Sequence, residues 1–399
     1  MNCKVIALLS VASLALNVAA EDKDNEKKEG FIFTTVKELP ITSIKNQNQS
    51  GTCWAFSSLG FFEAELLRMG KGEYDLCEMF LAHKTYEDRA KASVRLHGDI
   101  SFSEGGSFYD AIYCFKHYGI VPQTAMPEPG TLYGDSLPNF NELFTIATSY
   151  VDGIAKGKQS KLTPAWSKGL NAILDTYLGV CPTEFTYNGK KYTPQSYLQS
   201  TGINPDDYVS LTSYTHHPFY DKFILEIQDN WRWGFSYNLP IDELLEVMNN
   251  AIDKGYTFAW GADVSEEGFS RNGIAVCPDV DKVRSQDGSD MARWTGLSRV
   301  ERRKELTSKP MPEISVTQEM RQEAYDNWET TDDHGMVIYG LAKDQNGKEY
   351  FMVKNSWGTA GEYNGVWYAS KTFVAYKTMN ILVHKDALPK NIAKKLGIK

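Results

Sequence analysis

Beyond its first twenty residues the chain has no long hydrophobic run, so no later segment is expected to span a membrane stably. It has no excess of positive charge. Lys and Arg number 42 against 51 Asp and Glu, a formal net charge of −9, which argues against nucleic acid as the main partner. It contains no internal repeat and no low-complexity tract, so solenoid and fibrous architectures are not expected. Its six cysteines never form a Cys-x-x-Cys pair, which speaks against a structural metal centre. His216 and His217 are adjacent, and neighbouring side chains on a strand or loop diverge, so they are not expected to share an ion either. Metal: none and cofactor: none are the expectations. No long pro-segment separates the N-terminal region from the first motif at Gln47.

What is present is ordinary for a soluble globular protein of 399 residues, with 42% hydrophobic, 13% aromatic and 23% charged side chains. Residues 1–20 read as an export signal: Lys4, the apolar stretch from Val5 to Leu16, then Val18-Ala19-Ala20 before a charged run. A periplasmic or extracellular location is expected. Cys3 would leave with that signal. The five remaining cysteines are an odd number, which fits one reactive thiol among packed ones.

Helical patterns come first along the chain and strand patterns last. Helices are expected over 53–69, stopped by Gly70 and Gly72, and over 75–95, 107–118, much of 137–180, and 241–254. Strands are expected at Tyr256–Val264, Met336–Leu341, Tyr350–Val353, Val366–Ala369 and Asn380–Val383, with a turn at Asn346-Gly347. Helices followed by strands predict an α+β fold. The boundaries read as 1–20 signal, 21–40 flexible segment, 41–122 helical lobe, 123–240 mostly helical insertion, and 241–399 strand-rich lobe with a tail.

The densest chemical signal is Gln47-Asn-Gln-Ser-Gly-Thr-Cys53-Trp-Ala-Phe-Ser57. A thiol at a helix N-terminus meets the positive end of the helix dipole, which favours thiolate, and a neighbouring imidazolium favours it further. Gln47 is placed to offer an amide that, with the Cys53 N–H, holds an oxyanion. The second signal is Asp332-Asp333-His334-Gly335-Met336, where His334 opens a strand. The third is Lys354-Asn355-Ser356-Trp357-Gly358, where Asn355 ends one. Asn355 can orient the imidazole, Trp357 can shield Asn355, and Asp333 can support the charge on His334. Cys53, His334, Asn355 and Gln47 are the candidate catalytic residues. Gly105, Gly106, Asp333 and Trp357 are the candidate substrate-binding residues.

Gln-x5-Cys-Trp-Ala-Phe-Ser, His-Gly-Met, Lys-Asn-Ser-Trp-Gly and Glu104-Gly105-Gly106-Ser107-Phe108 together resemble the papain superfamily of cysteine peptidases. The resemblance implies a papain-like two-lobe fold, and a Gly105-Gly106 pair running beside the substrate backbone, where the absence of Cβ permits close approach. His334 lies 281 residues after Cys53, against roughly 130–150 in papain-type enzymes, so a large insertion separates the lobes. Ser50 and Ser103 stand where papain has a disulfide. Tyr118-Gly-Ile-Val-Pro122, Phe185-Thr-Tyr187 and Trp260-Gly-Ala-Asp-Val264 are similar to the bleomycin hydrolase and aminopeptidase C group, and the likeness covers most of residues 40–390.

That resemblance implies peptide substrates, a thioester intermediate and a homo-hexameric ring. It departs from the group in two respects: the group is typically cytosolic, and its C-terminal arm, which offers a carboxylate to the substrate amino terminus, has no counterpart after Leu388-Pro389-Lys390-Asn391-Ile392. The expected activity is that of an aminopeptidase. An endopeptidase of the same fold, a non-catalytic peptide-binding scaffold, and acyl transfer through the same thioester are the alternatives.

Overall fold

The computed structural model describes residues 30–280, 282 and 297–399. The expected export signal lies outside the described residues.

The first half supplies a helical layer. Helix α1 (Cys53–Arg68) is buried along almost its whole length, and α2 (Glu78–Arg95) and α3 (Phe108–His117) pack around it. Helices α4 (Asn141–Ala155) and α5 (Ala165–Leu178) close the outer side, a small hairpin of β2 (Phe185–Tyr187) and β3 (Lys190–Tyr192) follows, and α6 (Pro194–Thr201) ends the run. Phe61, Phe62, Tyr86, Phe115, Leu143 and Leu174 belong to one buried cluster at the centre of this layer. An aromatic or leucine side chain buried there contributes roughly 1.5–3 kcal/mol.

Among the described residues, the second half supplies all but one strand of an eleven-stranded mixed sheet. Its middle is β13 (Thr378–His384), β7 (Phe258–Ala262), β10 (His334–Lys343), β11 (Glu349–Lys354) and β12 (Val366–Ser370), in that order. Helix α7 (Ile241–Lys254) lies against it with Ile241, Leu244, Val247, Met248, Ala251 and Ile252 buried, the face its sequence pattern predicts. Asn346-Gly347 sits in the connection between β10 and β11, and Gly347 takes a positive φ of 81°. The expected α+β order therefore holds, as a papain-like fold.

Two segments differ from expectation. Within 21–40, the described part holds β1 (Thr34–Glu38), which pairs with the second half of β10 while β7 pairs with the first half. Phe33 anchors it by stacking on Tyr368 with ring centroids 3.8 Å apart. Within 123–240, β4 (Tyr208–Thr212), β5 (Lys222–Ile224) and β6 (Phe235–Asn238) extend the sheet past β13. Strands of three to five residues are too short to show a period.

The two layers meet where β10 crosses α1. Gly335 makes that crossing close: a Cβ there would sit 2.6 Å from the Ser57 hydroxyl and 3.5 Å from the Cys53 carbonyl. A buried ionic group ties the layers beneath the crossing. Lys45 reaches Glu63 on α1 at 3.3 Å and Glu78 on α2 at 2.8 Å, and Lys354 of β11 donates to Thr42, whose hydroxyl donates to Glu63 at 2.5 Å.

Candidate active site

Helix α1 begins at Cys53 with no side-chain cap and no acidic residue in its first turn. No side chain on the helix therefore competes with the thiol for the N–H groups of Cys53 and Trp54, which have no carbonyl four residues back inside the helix. The Cys53 thiol faces the backbone N–H groups of Gly335 and Trp54, which favour its charged form, so it lies at the seam between α1 and β10. Cys53, His334, Gly106 and Asp333 share one crevice of about 30 Å³.

His334 is buried and its Nε2 is 2.7 Å from Asn355 Oδ1. The Ser356 backbone N–H donates to that same oxygen at 2.7 Å, which identifies it as an acceptor. The Nε2 therefore carries the hydrogen, and Nδ1 keeps its lone pair. Trp357 packs on the imidazole with ring centroids 4.8 Å apart, and is itself edged by Trp367 and Phe269.

Gln47 is held from behind. The 45–47 segment pairs with 356–358: Gln47 N–H donates to the Ser356 carbonyl at 2.8 Å and Gly358 N–H to the Lys45 carbonyl at 3.1 Å. The Ser356 hydroxyl donates to Gln47 Oε1 at 2.6 Å, and Gln47 Nε2 donates to the Ser50 carbonyl at 2.7 Å. Ser50, at the position of a papain cysteine, spends its hydroxyl on the Gln47 carbonyl and on Thr52. One serine pair of contacts thus steadies the loop without a disulfide, and all five cysteines of the described residues are free.

Burial dominates the charges here. It pushes the Cys53 thiol up to about 12, against the two N–H donors, with Asp332 and Asp229 adding to the rise. It pushes His334 down to about 4, against the pull of Asn355 and Asp333. The sequence suggests a thiolate–imidazolium pair, because the helix terminus and the partner are legible and burial is not. Each charge alone is costly in this seam. Transfer of the proton from Cys53 to His334 creates both at once, so that each offsets the desolvation of the other.

The glycine pair serves close packing. A Cβ on Gly106 would fall 2.8 Å from the Trp54 indole, and one on Gly105 would fall 2.0 Å from the Asp229 carboxylate. The Gly105 carbonyl accepts from the buried Arg89 guanidinium at 2.6 Å. Asp333, on the crevice wall, is engaged by the 263–265 turn, accepting from Ser265 N–H at 3.0 Å and the Thr331 hydroxyl at 2.8 Å.

Three residues join the site that sequence reasoning did not select: Asp229, Asp332 and Arg89. Asp332 lay beside a chosen residue, while Asp229 and Arg89 carried no local signal. His216 and His217 do not diverge as expected: both rings reach Glu226, each at 3.0 Å, because Glu226 spans the pair with its two oxygens. Residues 385–399 contribute nothing to the crevice wall. Leu388, Ile392 and Leu396 pack in the α7 core, and Lys395 pairs with Glu243 at 2.7 Å.

The Peptidase C1-like family matches residues 71–284 and 288–398, which takes in His334 and Asn355. An aminopeptidase G of Lactobacillus delbrueckii subsp. lactis is 25% identical, covering 90% of this chain and 84% of that protein. An aminopeptidase C of Streptococcus thermophilus is 24% identical, covering 92% and 85% respectively. The crystal structure of PepW from Lactobacillus rhamnosis has the same fold, with a TM-score of 0.65, 20% identity, and coverage of 91% of this chain and 84% of that one.

Proposed function

The chain belongs to the Peptidase C1-like family, and from that premise we propose that it is a cysteine aminopeptidase acting on peptides through a thioester at Cys53. The observation that carries the reading is the seam itself: a thiol at an uncapped helix start, against the Gly335 N–H, next to an imidazole whose hydrogen is fixed by Asn355 at 2.7 Å. The aminopeptidase names of the relatives support the exopeptidase part.

In this reading the Cys53 thiol gives its proton to His334 Nδ1 as the sulfur attacks the scissile carbonyl. The oxyanion is held by the Cys53 backbone N–H and the second Gln47 amide hydrogen, the first being spent on Ser50. The carbon–nitrogen bond breaks, the imidazolium returns its proton to the departing amine, and a thioester remains. Water then gives a proton to His334 and its oxygen to the acyl carbon. The carbon–sulfur bond breaks, the imidazolium returns its proton to the sulfur, and the first residue leaves as a free amino acid. Trp357 keeps water from the His334–Asn355 bond, which is worth most in a dry site.

Two further parts of the proposal are carried by the sequence: export directed by residues 1–20, and assembly with further copies of itself. A second reading, endopeptidase, is favoured by one observation: residues 385–399 pack around α7 rather than in the crevice. The test is hydrolysis of an aminoacyl arylamide with a free α-amino group against its N-acetyl form. A strong preference for the free amine is expected. Equal rates would replace the aminopeptidase reading by the endopeptidase one.

A further inference from the structure

The α-nitrogen of a peptide's first residue is two covalent bonds from that residue's carbonyl carbon. An enzyme that cleaves after that residue must hold the ammonium within a few ångströms of its nucleophile, and a charged anchor there must be acidic. The walls next to Cys53 carry such groups. The crevice of Cys53 and His334 shares Ile227, Asp229, Asp332 and Asp333 with a broader basin of about 560 Å³. Among the described residues, the basin wall bears five carboxylates and no Lys, Arg or His.

Three of the five are already engaged. Glu226 takes both His216 and His217, Asp326 accepts from Gln322 at 2.9 Å, and Asp333 serves the 263–265 turn. Asp332 makes no hydrogen bond with any described residue, although it is partly enclosed. Among the described residues Asp229 pairs only with Arg89, at 3.4 Å, and lies flat against Gly105. Asp332 is pushed up to about 8, first by burial and then by the charges of Asp229 and Asp333, and burial raises Asp229 as well, despite Arg89. Both are also felt by the Cys53 thiol. A third feature points to a cation. Trp328 stands on the basin wall 84% exposed, with a positive φ of 69° that a bulky residue rarely accepts. An exposed indole face beside acids suits an ammonium.

We propose that Asp229 and Asp332 form the anchor for the α-ammonium of the substrate, and so set exopeptidase specificity from inside the fold. This rests on the aminopeptidase reading. The strand-lobe acid comes from the residue two before His334, and its partner from the middle segment of the chain. Gly105 has no side chain because the anchor occupies the space. Arg89 fixes Asp229 and the Gly105 carbonyl as one unit, so the acid and the wall of the cleft keep their spacing. An incoming ammonium supplies the charge that the pair lacks, and the proton held on Asp332 leaves to solvent.

The experiment compares kcat/KM for a leucyl arylamide and its N-acetyl form in the wild-type protein, Asp229→Asn and Asp332→Asn. Each variant is expected to lower the free-amine to N-acetyl ratio at least tenfold, mainly through KM on the free amine. Partial misfolding scales both substrates alike and leaves the ratio in place, so it does not imitate this result. A wild-type ratio near one sinks the aminopeptidase reading itself. A high wild-type ratio that survives in both variants sinks the anchor alone. A lysyl arylamide is the remaining arm: if the variants lose only the preference for its basic side chain and keep the free-amine ratio, the acids read the side chain and the proposal fails.

Discussion

On one wall of the crevice, Cys53 and His334 are backed by Asn355 and Gln47 in a hydrogen-bonded frame. On the other, Asp229 has one guanidinium at 3.4 Å, and Asp332 has no hydrogen-bond partner among the described residues and feels the charge of Asp229. The first wall is tied down without a ligand: Asn355 Oδ1 takes two donors, Gln47 is clamped by Ser356 and Ser50, and Trp357 covers the imidazole, although the buried Asn355 Nδ2 has no hydrogen-bond partner among the described residues. The second wall improves only when a cation arrives. Catalysis asks for groups that do not move when charge develops, and recognition of a charged substrate gains from a site that is poor without it.

The comparison breaks first at Cys53. Cys53→Ala is expected to lower hydrolysis by roughly 10⁴-fold or more, since the sulfur forms the bond that is later hydrolysed. Assay with a free-amine arylamide decides it. Undiminished hydrolysis would show that the seam is not the reacting centre, and hydrolysis absent from the wild-type protein too would leave a peptide-binding scaffold. Gln47→Ala tests the same wall one step further from the bond. Loss of one oxyanion donor is expected to cost about 10²–10³ in kcat with little change in KM. The aspartate variants should show the reverse split, with KM moving most. A Gln47→Ala variant whose loss falls in KM would mean that the two walls do not divide their work in this way.

The tied-down wall was also the legible one. Cys53 follows Gly51-Thr52 at the start of a helical period, His334 opens a strand, and Asn355 closes one, so each stands at an element boundary that sequence marks. The span of helix α7 was legible because Ile241, Leu244, Met248 and Ile252 recur at helical spacing on its buried face. Asp229 was not, since nothing near it marks a site: its meaning comes from Gly105, 124 residues earlier, and Asp332, 103 residues later. The neutral state of the thiol and imidazole was hidden for a related reason. A helix terminus is a local feature, whereas burial of Cys53 depends on Gly335 letting β10 lie on α1.

The smallest expected effect is one of stability, and it bears on the second wall alone. The Asp332 carboxyl titrates near 8 in the folded chain, against about 3.9 in an unfolded one. Between those values the native state holds a proton that the unfolded state has released. Stability contributed by the neutral acid is therefore present below about pH 4 and is lost as pH rises toward 8. Asparagine has the same shape and no such proton. Asp332→Asn should thus gain on the wild-type protein as pH rises, with Tm close to wild type at pH 5 and above it by about 2 °C at pH 8. Thermal melts at the two pH values measure it. A difference that is the same at both would mean that Asp332 ionises freely where it stands. Its repulsion by Asp229 would then be too weak for the pair to be waiting on a cation. A gain that grows with pH, in the variant that also loses its preference for the free amine, would show this wall giving up stability for recognition.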